Sequence, residues 1–223
     1  MRINTLQLHR VSTCPRRYLH EEQIQEPIDP AREVIKRIFL TQGLGKETSW
    51  GIDRIASMWD ELFWKGREVT PKNIDKSARG VLATKQLYSR LPQANFKSYS
   101  PRQLDYYSDS SLVLTSSADF ILTYENKIES WVYLNSSPRE IRRSILPIAE
   151  HYIVQKGFSR DLAFYLVIYH TTTNKMNPTY FKIRSKNSHS ENRKTVMSLA
   201  EVIRNKTDYP IQNGACEKCH INC

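Results

Sequence analysis

Residues 111–134 read SLVLTSSADFILTYENKIESWVYL, and this stretch decides the fold. It holds three short runs of aliphatic, aromatic and β-branched residues, separated by polar residues at 116–117 and 125–127. Short β-prone runs bounded by turn residues are typical of antiparallel strands. The stretch therefore predicts a β-meander with strands at 111–115, 118–124 and 129–134.

The chain on both sides of the meander has helical periodicity. Asp29 and Pro30 have the residue types of an N-cap and a first helical position. The apolar spacing predicts helices at 30–42 and 51–65, a third beginning at Pro71, one at 138–156 and a last at 190–206, with further strands at 162–170 and 179–184. The predicted class is α+β, with a helix that crosses from the meander to the later strands.

Composition limits the class of protein. The 223 residues are 39% hydrophobic, the mean hydropathy is −0.57, and no run of apolar residues is long enough to span a membrane. The first twenty residues lack the apolar stretch of a signal peptide. We therefore expect a cytoplasmic, nucleoid-associated protein that does not interact with a membrane.

The net charge indicates the kind of partner. Thirty-three Lys and Arg against 23 Asp and Glu give a formal charge of +10. A domain this basic usually binds a polyanion, and nucleic acid is the first expectation. A basic surface that binds an acidic protein, or no partner, is the alternative.

The cysteines predict a metal site. Cys14 stands alone, whereas Cys216, Cys219 and Cys223 form a C-x2-C-x3-C pattern. Thiolates at this density usually share a metal, and four of them suit either zinc or a [4Fe–4S] cluster.

The order of these parts resembles the RecB-type PD-(D/E)XK nuclease domain in its iron–sulfur form, which occurs in AddB and in the nucleases of CRISPR adaptation modules. In that family a Cys-Pro-basic-basic-aromatic stretch supplies one cluster ligand, and here it reads Cys14-Pro15-Arg16-Arg17-Tyr18. Three ligands follow at the far end of the chain, although the family typically has five residues between the last two and this chain has three.

The resemblance implies a PD-(D/E)XK core with a mixed central sheet flanked by helices. It implies three regions: residues 1–92 with the first cysteine and the helices, the core at 93–206, and a cysteine tail at 207–223. It also implies that Cys14, Cys216, Cys219 and Cys223 hold a [4Fe–4S] cluster that joins the two ends of the chain.

The catalytic residues of that family are largely missing. Asp119 matches the first acidic metal ligand, but Tyr133 replaces the second carboxylate and Asn135 replaces the lysine. The family's Gln-x-x-x-Tyr has Ile148 in place of glutamine, and no histidine lies between His20 and His151. These departures predict a degenerate nuclease fold that binds DNA without cutting it.

A second pattern keeps an active nuclease open as the alternative. Asp119 followed by Glu125-Asn126-Lys127 satisfies an Asp…Glu-x-Lys pattern, which would bind Mg²⁺ or Mn²⁺ for hydrolysis. However, Glu125 and Lys127 fall in the predicted hairpin turn, where such a pair is usually a solvated ion pair.

We expect DNA contacts from two arginine groups, Arg16 and Arg17 beside the cluster, and Arg139, Arg142 and Arg143 at the start of the crossing helix. Ordinary surface charge is the alternative for both groups. The expected partners are DNA, single-stranded or at ends, and a helicase, nuclease, recombinase or polymerase within one complex. A protein-interaction scaffold without DNA binding is the third hypothesis.

Overall fold

The computed structural model describes residues 1–13, 18, 29–43, 52–90, 97–99, 105–107, 112–134, 138–157, 162–169, 178–183 and 189–205. The helices are α1 (Thr5–Thr13), α2 (Pro30–Gly43), α3 (Ile52–Phe63), α4 (Pro71–Arg90), α5 (Pro138–Arg143), α6 (Leu146–Gly157) and α7 (His189–Asn205). The strands are β1 (Arg2–Asn4), β2 (Lys97–Tyr99), β3 (Asp105–Tyr107), β4 (Val113–Thr115), β5 (Phe120–Thr123), β6 (Lys127–Tyr133), β7 (Ala163–Tyr169) and β8 (Thr179–Ile183). The predicted α+β class is confirmed.

Within these residues, the strands form two sheets. The larger has the order β2-β5-β6-β7-β8, in which β6 and β7 are parallel and the other neighbours are antiparallel. Helices α5 and α6 make the crossing between β6 and β7. The smaller sheet has the order β1-β4-β3, with β1 parallel to β4.

Helices cover both faces of the larger sheet. Phe120 and Leu122 of β5 point to one face, where they pack with Ile35 of α2 and Trp59 of α3. Ile121, between them, belongs to the opposite cluster, which includes residues of α5 and α6, because side chains alternate along a strand. A third cluster joins α1, α6 and α7 beside the smaller sheet.

Several predicted elements lie where the sequence placed them, but the three-stranded meander is wrong. β5 and β6 form a hairpin in the larger sheet, whereas β4 pairs with β1 and β3 in the smaller sheet. Asp29 caps α2, since its Oδ1 accepts hydrogen bonds from the backbone amides of Ala31 at 2.9 Å and Arg32 at 3.2 Å. The single helix expected at 138–156 is two helices instead, because Ser144 leaves the helix and its Oγ accepts a bond from the amide of Leu146 at 3.3 Å. Lys127 begins β6 rather than lying in the turn. The early pair β1 and α1 was not predicted.

Candidate functional site: the Asp119 cleft

Asp119 lies at the beginning of β5, where the larger sheet meets the smaller one. Its backbone amide donates to the carbonyl of Trp131 at 2.8 Å, which brings its side chain to the end of β6. There the amide of Tyr133 donates to Oδ2 of Asp119 at 3.1 Å, and the hydroxyl of Tyr169, at the end of β7, donates to the same oxygen at 2.8 Å. Asp119 is 4% exposed, so its carboxylate depends on these donors instead of water.

Arg32 supplies the remaining donors. It lies in the first turn of α2, and its Nε and Nη2 atoms each lie 2.8 Å from Oδ1 of Asp119. The hydroxyl of Tyr133 donates to Oδ2 of Asp29 at 2.6 Å, so the residue that caps α2 also ties this helix to β6. The start of α2 and the ends of β6 and β7 therefore hold the ion pair in place.

The surroundings of Arg32 and Tyr169 shift the pKa values of both side chains upward. Burial by itself would lower the pKa of Arg32, but the adjacent Asp119 carboxylate raises that pKa overall. Burial raises the pKa of the Tyr169 phenol well above its ordinary value, and the negative charge of Asp119 raises it further. Tyr169 thus stays protonated and donates, while Arg32 stays cationic.

A cleft of about 430 Å³ opens beside this ion pair. Its walls carry three cationic side chains, Arg2 from β1 and Arg32 and Lys36 from α2. Asn4, Gln7 and Ser117 add amide and hydroxyl groups to the same walls. Asp119 is the acidic residue of the lining and is paired with Arg32, so Arg2 and Lys36 carry the excess positive charge of the cleft. Nζ of Lys36 also lies 3.3 Å from Oε1 of Glu33, outside the lining. The lining itself therefore has a net positive charge, which suits an anionic ligand.

The wall formed by α1 is fixed by a capping box. Oδ1 of Asn4 accepts from the amide of Gln7, and Oε1 of Gln7 accepts from the amide of Asn4, each at 2.8 Å. The amide of Leu6 donates to Oγ of Ser117 at 2.9 Å. This bond joins α1 to the connection between β4 and β5.

Behind that wall, Glu150 of α6 is a buried acid that the sequence did not single out. It interacts with the hydroxyls of Thr5, of Ser116 at 2.8 Å and of Ser130 at 3.2 Å, and it accepts from the amide of Ser117 at 2.7 Å. Burial raises the pKa of Glu150, and these hydrogen bonds offset part of the rise. Arg32 was also missed, since its partner Asp119 lies 87 residues away in the chain.

The structure does not bring Glu125 and Lys127 to Asp119. Glu125 is exposed in the hairpin turn, and Nζ of Lys127 pairs with Oε1 of Glu129 at 2.6 Å. Lys127 precedes Trp131, the backbone partner of Asp119, by four residues on β6, a separation of about 13 Å along a strand. The Asp…Glu-x-Lys pattern is therefore not assembled as one site.

The arginines of the crossing helix are exposed. Arg139, Arg142 and Arg143 lie on α5, which follows the end of β6 and so starts at the same end of the sheet as Asp119. The guanidinium carbon of Arg142 lies 6.0 Å from the ring centre of Phe181. Arg16, Arg17, Asn135 and the four cysteines Cys14, Cys216, Cys219 and Cys223 lie outside the described residues.

The described segments contain no group of three or more His, Cys, Asp or Glu side chains placed to hold a metal ion. Nor does any helix in these segments have the length and apolar character needed to cross a membrane.

No family model matches the chain, and no curated protein matches it. The solved structure described as the crystal structure of SSO0001 is similar, with a TM-score of 0.37 and 14% sequence identity over 96% of this chain and 92% of that chain.

Proposed function

We propose that this protein is a non-catalytic, iron–sulfur PD-(D/E)XK-like subunit that binds DNA at single-stranded regions or ends. In this proposal it works within a larger complex, beside a helicase, nuclease, recombinase or polymerase. The cluster is held by Cys14, Cys216, Cys219 and Cys223.

The ion pair between Arg32 and Asp119 is the observation that carries the proposal. A nuclease of this kind uses carboxylates to bind a divalent cation, which lowers the pKa of a bound water and so generates the nucleophile. Here both Asp119 oxygens accept hydrogen bonds from protein donors, and the adjacent positive charge is a guanidinium. A guanidinium attracts a phosphate, but it is a hydrogen-bond donor that is not deprotonated in proteins, and it does not generate a hydroxide from bound water as a metal ion does.

The cleft lining supports the DNA-binding part. Arg2, Arg32 and Lys36 face a space of about 430 Å³, and phosphate contacts by Lys and Arg dominate the affinity of proteins for nucleic acid. Arg139, Arg142 and Arg143 extend positive charge along α5 at the same end of the sheet. The net charge of +10 agrees with a polyanionic partner.

The topology supports the PD-(D/E)XK-like part. Asp119 stands at the head of one antiparallel strand, the next strand β6 follows by a hairpin, and α5 and α6 cross to the parallel strand β7. This is the order of parts on which the family resemblance was based.

The test measures cleavage and binding with the same labelled single- and double-stranded DNA, in Mg²⁺, in Mn²⁺ and in EDTA. We expect binding in all three conditions, no cleavage in any, and an affinity that falls steeply with salt. Lys36→Gln and Arg2→Gln each weaken binding and reduce the salt slope by about one. Lys194→Gln is the matched control, because Lys194 is exposed on α7 and does not line the cleft.

Two outcomes would contradict the proposal. Cleavage that is lost in Asp119→Asn would make the protein an active Mg²⁺- or Mn²⁺-dependent nuclease with Asp119 as a catalytic residue. Absence of salt-dependent DNA binding would favour the protein-interaction scaffold.

A further inference from the structure

Strands β7 and β8 of the larger sheet carry tyrosines and a lysine that do not line the Asp119 cleft. Tyr165 of β7 lies opposite Lys182 of β8, and Tyr180 lies opposite Val167. Because side chains alternate along strands, Tyr165, Tyr180 and Lys182 share one face. We call these three residues the tyrosine–lysine surface.

Aromatic rings and ammonium groups lie close together on this face. Nζ of Lys182 lies 5.9 Å from the ring centre of Tyr165, and Nζ of Lys127 lies at the same distance from that ring. The ring of Tyr180 contacts Trp131 edge to face, with centres 5.9 Å apart and planes at 85°. Tyr180 is nevertheless 47% exposed, so part of an aromatic ring is presented to solvent next to positive charge.

Glu129 fixes the side chains of Lys127 and Trp131, which lie beside the tyrosine–lysine surface. Its side chain is 2% exposed and accepts from Nζ of Lys127 at 2.6 Å, from Nε1 of Trp131 at 3.1 Å and from the hydroxyl of Tyr124 at 3.3 Å. Partial burial and the negative charge of Glu129 raise the pKa of Tyr180 to about 12. Tyr180 is therefore a neutral phenol at physiological pH. The hydrogen bond from Nε1 to Glu129 holds the indole of Trp131, which contacts Tyr180, in one orientation.

We propose that the tyrosine–lysine surface binds single-stranded DNA, with a base stacked on Tyr180 and a phosphate contacted by Lys182. This inference rests on the proposed function and adds a second contact, at residues that do not line the Asp119 cleft. Aromatic side chains stack on bases of any sequence, and a positively charged surface attracts the backbone between them. A duplex hides its base faces, so this surface selects unpaired strands.

The experiment compares an oligothymidylate with an abasic strand of the same length, using fluorescence anisotropy. Wild-type protein binds the oligothymidylate more tightly than the abasic strand. Tyr180→Ala weakens oligothymidylate binding by about 5- to 160-fold, as expected for the loss of one stacked base, and leaves abasic-strand binding unchanged. Tyr180→Phe keeps the ring and stays within about twofold of wild type, while Lys182→Gln weakens binding to both strands.

The results that would contradict the stacking surface differ from those that would contradict the proposed function. Equal wild-type affinity for the two strands overturns the stacking surface and leaves the proposed function standing, because phosphate contacts alone then explain binding. Equal affinities of Tyr180→Ala and Tyr180→Phe for the oligothymidylate overturn it too. Absence of binding to either strand overturns the proposed function itself. Unchanged abasic-strand binding by Tyr180→Ala shows that this variant is folded.

Discussion

Glu150 makes the folded protein sensitive to pH through a single side chain. Because burial raises its pKa, the folded protein retains a proton that the unfolded chain releases at the ordinary pKa of glutamate. The stability that this proton provides is fully present below that ordinary pKa, and it is lost as the pH rises through the raised pKa of the folded state.

We therefore predict that Glu150→Gln stabilises the protein relative to wild type increasingly as the pH rises from acidic to neutral. The glutamine still accepts from the amide of Ser117 and bonds to the hydroxyls, but it does not ionise. Urea unfolding over a pH series measures the effect. Glu125→Gln, in the exposed hairpin turn, is the control for replacing a surface carboxylate by an amide.

A second substitution checks the hydrogen bonds of Glu150. Glu150→Leu leaves the buried partners of the carboxylate without an acceptor, which we expect to cost about 1–3 kcal/mol. If Glu150→Gln and Glu150→Leu behave alike at every pH, the carboxyl group has no role in joining Thr5, Ser116 and Ser130.

The sequence identified one residue of the candidate site but not the residues that contact it or lie behind it. Asp119 was identified because its local pattern matches a known motif. Arg32, Tyr169 and Glu150 were not, because each meets its partner only through the tertiary fold. Arg32 reads as an ordinary charged residue in the first turn of a helix, and nothing near it in the chain indicates a carboxylate partner.

Among the elements, α3 and α4 approach closely at one glycine. A Cβ atom added to Gly80 would lie 2.1 Å from Cζ2 of Trp59, far below van der Waals contact. Trp59 stacks on Phe63 with ring centres 5.8 Å apart and belongs to the core beneath these helices. The absence of a side chain at Gly80 therefore allows the indole to lie between α3 and α4.

We predict that Gly80→Ala destabilises the protein by about 1–3 kcal/mol, the range for overpacked cores. In an exposed helical position alanine is more favourable than glycine by about 1 kcal/mol, so the predicted sign is opposite to propensity. Thermal or urea unfolding measures it. Ala78→Gly, at an exposed position of the same helix, is the control and shows the ordinary cost of glycine.

The clash is tested separately by a double variant. Trp59→Leu removes the ring that opposes the new methyl group, so Gly80→Ala costs less in that background than in wild type. Equal costs in the two backgrounds would mean that Trp59 is not the obstacle.

Elements differed in how well the sequence predicted them. The helix at Pro30–Gly43 and the strand at Ala163–Tyr169 were recognised, because a cap, a proline or a long apolar run marks them. The strand Arg2–Asn4 has three residues, too few to show a period, and its pairing with β4 depends on a distant part of the chain. The break at Ser144 was hidden because apolar residues continue on both sides of it.

At the scale of the whole molecule, the cysteines are proposed to join the two ends of the chain. Closing a loop of about two hundred residues reduces the conformational entropy of the unfolded chain. We predict that protein purified without oxygen is brown, and that Cys216→Ser loses its iron and its visible absorbance and melts at a lower temperature. Iron analysis, absorbance and thermal unfolding measure these effects.

His220, which follows Cys219 in the chain, gives the control for this prediction. His220→Ala removes an imidazole from the same tail and leaves iron content and colour unchanged, because the proposed ligands are the four cysteines. Colourless protein with stoichiometric zinc would replace the iron–sulfur cluster by a zinc site on the same cysteines.

The pairing of β1 with β4, and of Thr5 with Glu150 across 145 residues, has a consequence for synthesis of the protein. Translation at about 5–20 residues per second separates Thr5 from Glu150 by roughly 7–30 s. For most of that interval Ile3, Leu8 and Val11, all buried in the finished protein, lack β4, α6 and α7, which supply most of the other residues of their cluster. Until those partners are synthesised, a chaperone at the ribosome can bind the apolar side chains of this segment.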